Sequence, residues 1–266
     1  MYETHYHRPK NLADAAKIFS GASEARYLAG GQTLIPTMKL RLANPSDVID
    51  LSAIVDLKGI AASGDTITIG GGVTHFEVAN SADVKRIIPA LAAVAGMIGD
   101  PAVRYRGTIG GSLANNDPAA DYPAAALGLG ATIKTSQRSI PADSFFAGIF
   151  STALKDGEII TQVAFPVPAK AAYQKFPNPA SRFAMAGVFV ARTKDGKVRV
   201  AVTGAGDKGV YRASDMEAAL EKKFTPEAIA NIAVDPKKML SDLHASSEYR
   251  ANLVKVMAKR AVAAIA

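Results

Sequence analysis

Two glycine-rich motifs constrain this chain more than any other feature. The first is YLAGGQTL at Tyr27–Leu34, and the second is GTIGGSLANNDPAAD at Gly107–Asp121. Adjacent glycines let a backbone pass close to a ligand and reach positive φ at little cost, and consecutive amides in such a turn can bind an anion. Two such motifs facing each other predict a site for both phosphates of a diphosphate. The alternative is a pair of tight turns.

Two other phosphate-binding patterns are not favoured. Neither motif ends in Gly-Lys-Ser/Thr, so a P-loop for a nucleoside triphosphate with magnesium is not indicated. The stretch Gly204–Gly209 matches the Gly-x-Gly-x-x-Gly pattern of nicotinamide-binding Rossmann units. However, the strand before it belongs to a hairpin turned by Asp195-Gly196, and no apolar strand runs through residues 220–230. We interpret it as a glycine turn that connects a strand to a helix.

The composition removes several classes of chemistry. Among 266 residues there is no cysteine, which excludes disulfides, thiolate nucleophiles and cysteine-bound zinc or iron–sulfur clusters. No Gly-x-Ser-x-Gly, His-Glu-x-x-His or clear carboxylate pair is present, so we predict neither a catalytic side chain nor a metal site. The pair His5 and His7 is interpreted as surface residues rather than metal ligands.

Charge and hydropathy narrow the setting. The net charge is +7, without a run of five or six basic residues, so nucleic acid is not predicted as a partner. A solvated basic surface, an anionic cofactor or an acidic partner would each account for the charge. No apolar run of about 18 residues and no signal-like N-terminus is visible, so we expect a cytoplasmic protein without a membrane span.

Hydrophobic periodicity predicts a mixture of helices and strands. Strands are predicted at Tyr27–Ala29 and Val48–Leu51, with hairpins near residues 60–69 and 183–202. Asp117 is interpreted as the N-cap of an Ala/Leu-rich helix. The other predicted helices lie at Leu12–Phe19 with Asn11 as N-cap, at Val84–Ile98 with Pro89 in its first turn or at a kink, and at about Asp215–Glu221, Pro226–Ile232 and Glu248–Ile265.

The two glycine motifs also carry a resemblance. The first, continued through Pro36–Ala43 to Val48–Leu51, resembles the opening signature of the FAD-binding medium subunit of molybdenum hydroxylases. That family includes the carbon monoxide dehydrogenase flavoprotein and the flavin domain of xanthine dehydrogenase. The second motif, with its downstream Asp121, is similar to the family's Thr-Ile-Gly-Gly stretch, and the likeness spans essentially the whole chain.

The resemblance implies an α+β flavoprotein with a vanillyl-alcohol-oxidase-like FAD-binding domain. That domain would span residues 1–168 and comprise two α/β subdomains, about 1–55 and 56–168. A C-terminal α+β domain with an antiparallel sheet and helices would follow over residues 169–266. The boundary falls among prolines, which interrupt regular structure.

The resemblance also implies which residues bind FAD. Backbone amides of both motifs and the hydroxyls of Thr33 and Thr108 would cradle the diphosphate, and Asp121 would hydrogen-bond the ribityl chain. Ile160 would touch the cofactor through its backbone or be a plain core residue, and Lys175 would lie near the isoalloxazine or be an exposed lysine. The predicted FAD-binding residues are Leu28, Ala29, Gly30, Gly31, Gln32, Thr33, Leu34, Thr108, Ile109, Gly110, Gly111, Ser112, Asp121, Ile160, Lys175 and Phe183.

The implied function is electron transfer within a molybdenum hydroxylase complex. Electrons would arrive from iron–sulfur clusters on a small subunit, after substrate oxidation at a molybdenum cofactor on a large subunit. FAD would supply the redox chemistry and pass the electrons to an external acceptor. A self-contained flavin oxidase or reductase and a flavin-free assembly subunit are the alternatives.

Overall fold

Three larger β-sheets and one two-stranded sheet organise the molecule, and the computed structural model describes residues 1–266. The first sheet has three parallel strands in the order β1-β3-β2. Asn11 begins the first helix by accepting a hydrogen bond from the Asp14 amide at 2.8 Å, as expected of an N-cap. The strands of this sheet and the helices between them are β1 (His5–His7), α1 (Leu12–Gly21), β2 (Ala25–Leu28), α2 (Leu34–Lys39) and β3 (Asp47–Asp50).

The second sheet has five antiparallel strands in the order β4-β5-β10-β6-β7, with helices inserted between β5 and β6. Its strands are β4 (Ile60–Ser63), β5 (Thr66–Gly70), β6 (Thr132–Thr135), β7 (Ser139–Pro141) and β10 (Ile160–Pro166), and β8 (Phe146–Gly148) pairs separately with β9 (Ser151–Thr152). The helices are α3 (His75–Asn80), α4 (Ala82–Ile87), α5 (Pro89–Gly96), α6 (Pro101–Arg106), α7 (Ile109–Asn115) and α8 (Tyr122–Leu129).

The third sheet is antiparallel and is covered on both faces. Its strands are β11 (Lys170–Pro177), β12 (Ala184–Arg192), β13 (Val198–Thr203) and β14 (Tyr211–Arg212), and α9 (Ser214–Lys222) and α10 (Ser247–Ala263) follow. Phe189 on one face packs against α8, where a Cβ added to Gly128 would lie 2.7 Å from the ring. Val188 and Val190 on the other face share a buried core with α10. The third sheet therefore packs against the preceding part of the chain through apolar side chains on one face and against α10 on the other.

Two helix predictions are wrong in their extent. The apolar run 84–98 is not one helix, because α4 ends at Ile87 and α5 begins at Pro89. Proline disfavours helical backbone in the residue before it, and Ile88 has φ −134° and ψ 73°. The predicted helix at 226–232 is only a short 3-10 helix over Pro226–Ile229.

The Gly204–Gly209 stretch is a turn, as predicted, but it leads into the short strand β14 and not, as predicted, into a helix. It connects β13 to β14, and both β12 and β14 run antiparallel to β13. A Rossmann unit requires parallel strands joined by a helix that starts inside the motif, so that reading is excluded. Positive φ occurs at Gly204 (+80°) and Gly209 (+91°), where glycine is favoured.

No helix in the chain combines the length and the apolar character that a bilayer crossing would need.

Candidate functional site

The first glycine motif forms the turn between β2 and α2. Gly31 has φ +71°, a left-handed conformation that favours glycine. None of the backbone amides of residues 30–34 donates a hydrogen bond within the protein. Successive backbone amides in a turn can bind an anion together, so these five amides without a partner in the chain form a candidate anion-binding site.

The second glycine motif is the first turn of α7 rather than a loop. Thr108 is the N-cap, and its hydroxyl accepts the Gly111 amide at 3.0 Å. The Ser112 amide donates to the Thr108 carbonyl at 3.0 Å, and the Ile109 and Gly110 amides donate to residues 73 and 71. Four of the five predicted cradle amides are therefore bonded within the protein, and only the Thr108 amide has no partner in the chain.

The two motifs touch through their backbones. A Cβ added to Gly30 would lie 2.5 Å from the Gly107 Cα and would also overlap the Arg106 carbonyl. A Cβ added to Gly111 would come within 3.4 Å of the Ala29 Cβ. The open amides of the first motif therefore lie beside the N-terminal turn of α7, as the facing-motif interpretation requires.

A third run of glycines, Gly70–Gly72, supports the second motif from behind. The Gly110 amide donates to the Gly71 carbonyl at 2.9 Å, and a Cβ on Gly110 would lie 2.5 Å from that oxygen. Gly71 in turn abuts the Ile160 carbonyl. Ile160 is buried at the start of β10, in the same hydrophobic cluster as Ile109 of the second motif.

His75 packs against the second motif, although it was not among the predicted site residues. It begins α3, donates its backbone amide to the Gly107 carbonyl at 2.9 Å, and is 5% exposed. A Cβ on Gly107 would lie 2.5 Å from the His75 Nε2. Burial, together with the positive charge of Arg104, lowers the pKa of His75 to about 4, so the imidazole is neutral near pH 7.

Asp121 and Lys175 come together although they are distant in sequence. Asp121 precedes α8 and Lys175 lies on β11, and the Lys175 Nζ is 2.9 Å from the Asp121 Oδ2. Their side chains are 4% and 3% exposed. Burial raises the pKa of Asp121, and the neighbouring Lys175 opposes this rise. Lys175 is therefore not the exposed lysine of the alternative interpretation.

An open cavity of about 410 Å³ lies beside this ion pair, between α5–α6 and the end of β11. Three cations and no acid line it, namely Arg104, Lys175 and Arg182. Lys175 also donates to the Met97 carbonyl at 3.1 Å. Phe183 follows Arg182 and is 48% exposed, but it does not line the cavity. The volume falls within the range of small-molecule pockets.

Asp117 does not cap α8, contrary to the prediction. Its carboxylate accepts the Ala119 amide at 2.8 Å, which makes a local turn, and α8 begins only at Tyr122. Asp121 occupies the N-cap position without a capping hydrogen bond, because its carboxylate is directed to Lys175. Asp117 therefore has a local structural role in the segment that leads to Asp121.

Comparison with known families defines the class of protein. The family described as the FAD binding domain in molybdopterin dehydrogenase matches residues 2–168, and the CO dehydrogenase flavoprotein C-terminal domain matches residues 171–265. The chain belongs to this family of FAD-binding molybdopterin dehydrogenase subunits. The family resemblance, the α+β fold and the FAD cofactor predicted from the sequence are thereby confirmed.

Particular relatives are medium subunits of dehydrogenases and hydroxylases. The chain is 34% identical over 272 residues to the carbon monoxide dehydrogenase medium chain of Hydrogenophaga pseudoflava, covering 97% of this chain and 95% of that protein. It is 35% identical over 270 residues to the nicotine 6-hydroxylase medium subunit of Paenarthrobacter nicotinovorans, with the same coverage.

Solved structures show the same fold. A carbon monoxide dehydrogenase from Hydrogenophaga pseudoflava, which lacks the Mo-pyranopterin moiety of its molybdenum cofactor, superposes with a TM-score of 0.89 at 34% identity, covering 99% of this chain and 97% of that one. Quinoline 2-oxidoreductase from Pseudomonas putida 86 gives a TM-score of 0.90 at 28% identity, covering 99% and 96%.

Proposed function

We propose that this chain is the FAD-binding electron-transfer subunit of a molybdenum hydroxylase complex. The observation that carries the proposal is the row of unpartnered amides at residues 30–34, held against the first turn of α7 by the contact of Gly30 with Gly107. Such a row of donors suits an anion of the size of a diphosphate. When bound, FAD supplies the electron transfer, and the chain itself contains no cysteine.

The residues present fit the cofactor along its length. Amides of residues 30–34 and of Thr108 would hold the diphosphate, while the other motif residues shape the turn around it. Asp121 follows the last residue of α7 by six residues and is held by its ion pair with Lys175. Its carboxylate would accept hydrogen bonds from ribityl hydroxyls, and the neighbouring Lys175 would place a positive charge near the flavin ring, where it favours a reduced anionic form.

The domain division and partners complete the proposal. Residues 1–168 would form the FAD-binding domain and residues 169–266 the C-terminal domain that covers the flavin end. The chain would receive electrons from an iron–sulfur small subunit and associate with a large subunit that carries the molybdenum cofactor. The medium-subunit names of its relatives support such an assembly. Permanent interfaces of this kind bury on the order of 2,000 Å² or more.

Sequence similarity to the relatives does not indicate one substrate for the complex. Relatives named for carbon monoxide, nicotine and glyceraldehyde are 34%, 35% and 34% identical to this chain. Because substrate oxidation would occur on the large subunit, the isolated chain should oxidise none of these compounds.

Comparison of FAD with FMN tests the proposed site. Flavin-free protein is titrated with each cofactor, and binding is followed by the visible absorbance and by calorimetry. FAD should bind at least about tenfold more tightly than FMN, since only FAD has a diphosphate to engage the open amides. Equal affinities would refute the diphosphate assignment.

A matched pair of glycine variants locates the site. Gly111→Val adds a side chain between the two motifs, with its Cβ 3.0 Å from the Thr108 hydroxyl and 3.4 Å from the Ala29 Cβ, so it should weaken FAD binding at least about tenfold. Gly21→Val, at the end of α1, adds a Cβ that has no other atom within 4 Å and should leave the affinity within about threefold. Unchanged affinity in folded Gly111→Val protein would place the cofactor elsewhere.

A further inference from the structure

The segment that leads to Asp121 is bonded to the third sheet. The Gly204 amide donates to the Pro118 carbonyl at 2.8 Å, and the Thr203 hydroxyl donates to the Ala120 carbonyl at 2.7 Å. Both donors lie at the end of β13, whereas the acceptors lie between α7 and α8. The backbone that carries Asp121 therefore takes its position from the C-terminal part of the chain.

The Asp121 carboxylate is held from the same side. The Tyr173 hydroxyl donates to Oδ1 at 2.5 Å, and Lys175 holds Oδ2. Tyr173 and Lys175 are two residues apart on β11 and so share one face of the third sheet. Burial raises the pKa of Tyr173 well above its ordinary value, which keeps the hydroxyl protonated as a donor.

A glycine in the middle of β12 makes room for this hydrogen bond. Gly187 pairs with Lys175 across the two strands, and a Cβ added to Gly187 would overlap the Tyr173 hydroxyl. Glycine weakens a strand interior and marks a close approach of another group. Here the group that approaches is the hydroxyl that reaches Asp121.

We propose that Tyr173 is a positioning residue for FAD binding, which acts by fixing the Asp121 carboxylate. This inference rests on the proposed function and deepens it, because the acid that would meet the ribityl chain is oriented by the C-terminal sheet. Asp121 lies in the part of the chain matched by the FAD-binding domain, whereas Tyr173 lies in the part matched by the flavoprotein C-terminal domain.

The charge of Asp121 depends on the same contacts. Burial raises its pKa, whereas Lys175 and the Tyr173 hydrogen bond favour the ionised form. Tyr122, the next residue, is the other titratable group facing Asp121, while α5 contributes the Met97 carbonyl to Lys175. Removal of the Tyr173 hydroxyl should therefore raise the pKa of Asp121 further. On acidification, FAD affinity should then begin to fall at a higher pH than it does in the unmodified chain.

The test compares Tyr173→Phe with Tyr211→Phe in the full chain. Tyr211 lies on β14 of the same sheet, and its hydroxyl makes no hydrogen bond within the protein. FAD dissociation constants are measured between about pH 5.5 and pH 8.5, with thermal unfolding as a check of folding. Tyr173→Phe should weaken FAD binding about tenfold near pH 8 and more at lower pH, as expected for loss of a hydrogen bond to a charged group. Tyr211→Phe should follow the unmodified chain.

A double-mutant cycle separates positioning from a general structural effect. In an Asp121→Asn background the Tyr173→Phe change should alter FAD affinity less than about threefold and should shift no pH profile, because the group through which it acts is neutral. The same loss in both backgrounds, or a Tyr173→Phe protein with the affinity and pH profile of Tyr211→Phe, would overturn the inference while leaving the proposed function intact. An unmodified chain that takes up no FAD would overturn both.

Discussion

Acidification from pH 7 to pH 5 should destabilise the folded chain through one residue, His75. Its pKa is lowered from 6.5 to about 4 by burial and by Arg104. Because the folded-state pKa lies below the unfolded value, the unfolded chain takes up the proton first. The stability present above about pH 6.5 is therefore lost progressively as the pH falls toward 4. Between pH 7 and pH 5, linkage with these two pKa values gives a loss of about 2 kcal/mol.

The matched perturbation is His75→Phe. The imidazole makes no side-chain hydrogen bond, and its Nδ1 is buried without a partner, so a phenyl ring removes the titration without breaking a hydrogen bond. Any cost of fitting the larger ring applies at both pH values and does not alter the pH dependence. Urea unfolding at pH 7 and pH 5 should show the unmodified chain losing about 2 kcal/mol more than the variant, while the carboxyl groups common to both cancel in the difference. His244→Phe, at an exposed position, should retain the full pH dependence.

Nuclear magnetic resonance gives a direct check of the same reasoning. With only four histidines in the chain, the His75 and His244 imidazole C–H signals can each be identified by their loss from the spectrum of the corresponding variant. The His75 signal should titrate near pH 4 in the folded protein. An ordinary titration near pH 6.5, or equal loss of stability in the unmodified chain and His75→Phe, would refute the burial argument.

Two further predictions concern buried polar groups. Burial alone would raise the pKa of Glu158. Hydrogen bonds from Arg138, the Lys155 amide and Thr135 nevertheless hold that pKa at about 2. Glu158→Gln should therefore lower the free energy of unfolding by on the order of 2 kcal/mol near pH 7. In urea titrations the variant should also lose less stability than the unmodified chain between about pH 4.5 and pH 2. An unchanged acid dependence would contradict this. The Tyr122 hydroxyl is buried without a partner, so Tyr122→Phe should stabilise the chain by about 1 kcal/mol in thermal unfolding, and a lowered melting temperature would contradict this.

Local signals in the sequence were sufficient for much of the fold. Asn11 caps α1 and Asp195-Gly196 turns the β12–β13 hairpin, because each of these features depends on neighbouring residues. The helix break at Ile88 was also within reach, since proline restricts the residue before it. The predicted helix began at Val84 and ran on through Pro89, so the start of α5 was placed too early.

The parts that the sequence did not reveal depend on contacts between distant segments. Adjacent glycines were interpreted as clearance for a ligand, yet the spaces at Gly30 and Gly110 are filled by the protein's own backbone. No strand was predicted at residues 170–177, and nothing in the sequence near Tyr173 indicates its contact with Asp121, which is 52 residues away. Likewise, the sequence shows only that His75 follows Thr74, the N-cap of α3. The contact of the His75 ring with Gly107 depends on the tertiary fold.

The packing of the glycines has a consequence for how such signatures evolve. Gly30, Gly71, Gly107 and Gly110 each leave room for another part of the same chain, so folding alone would preserve them in a descendant that no longer bound FAD. Gly111 differs, because an added carbon there meets only side chains. Among distant relatives, most of the glycine signature would therefore report shared architecture. A larger residue at the position of Gly111 would be an earlier sign that the cofactor had been lost.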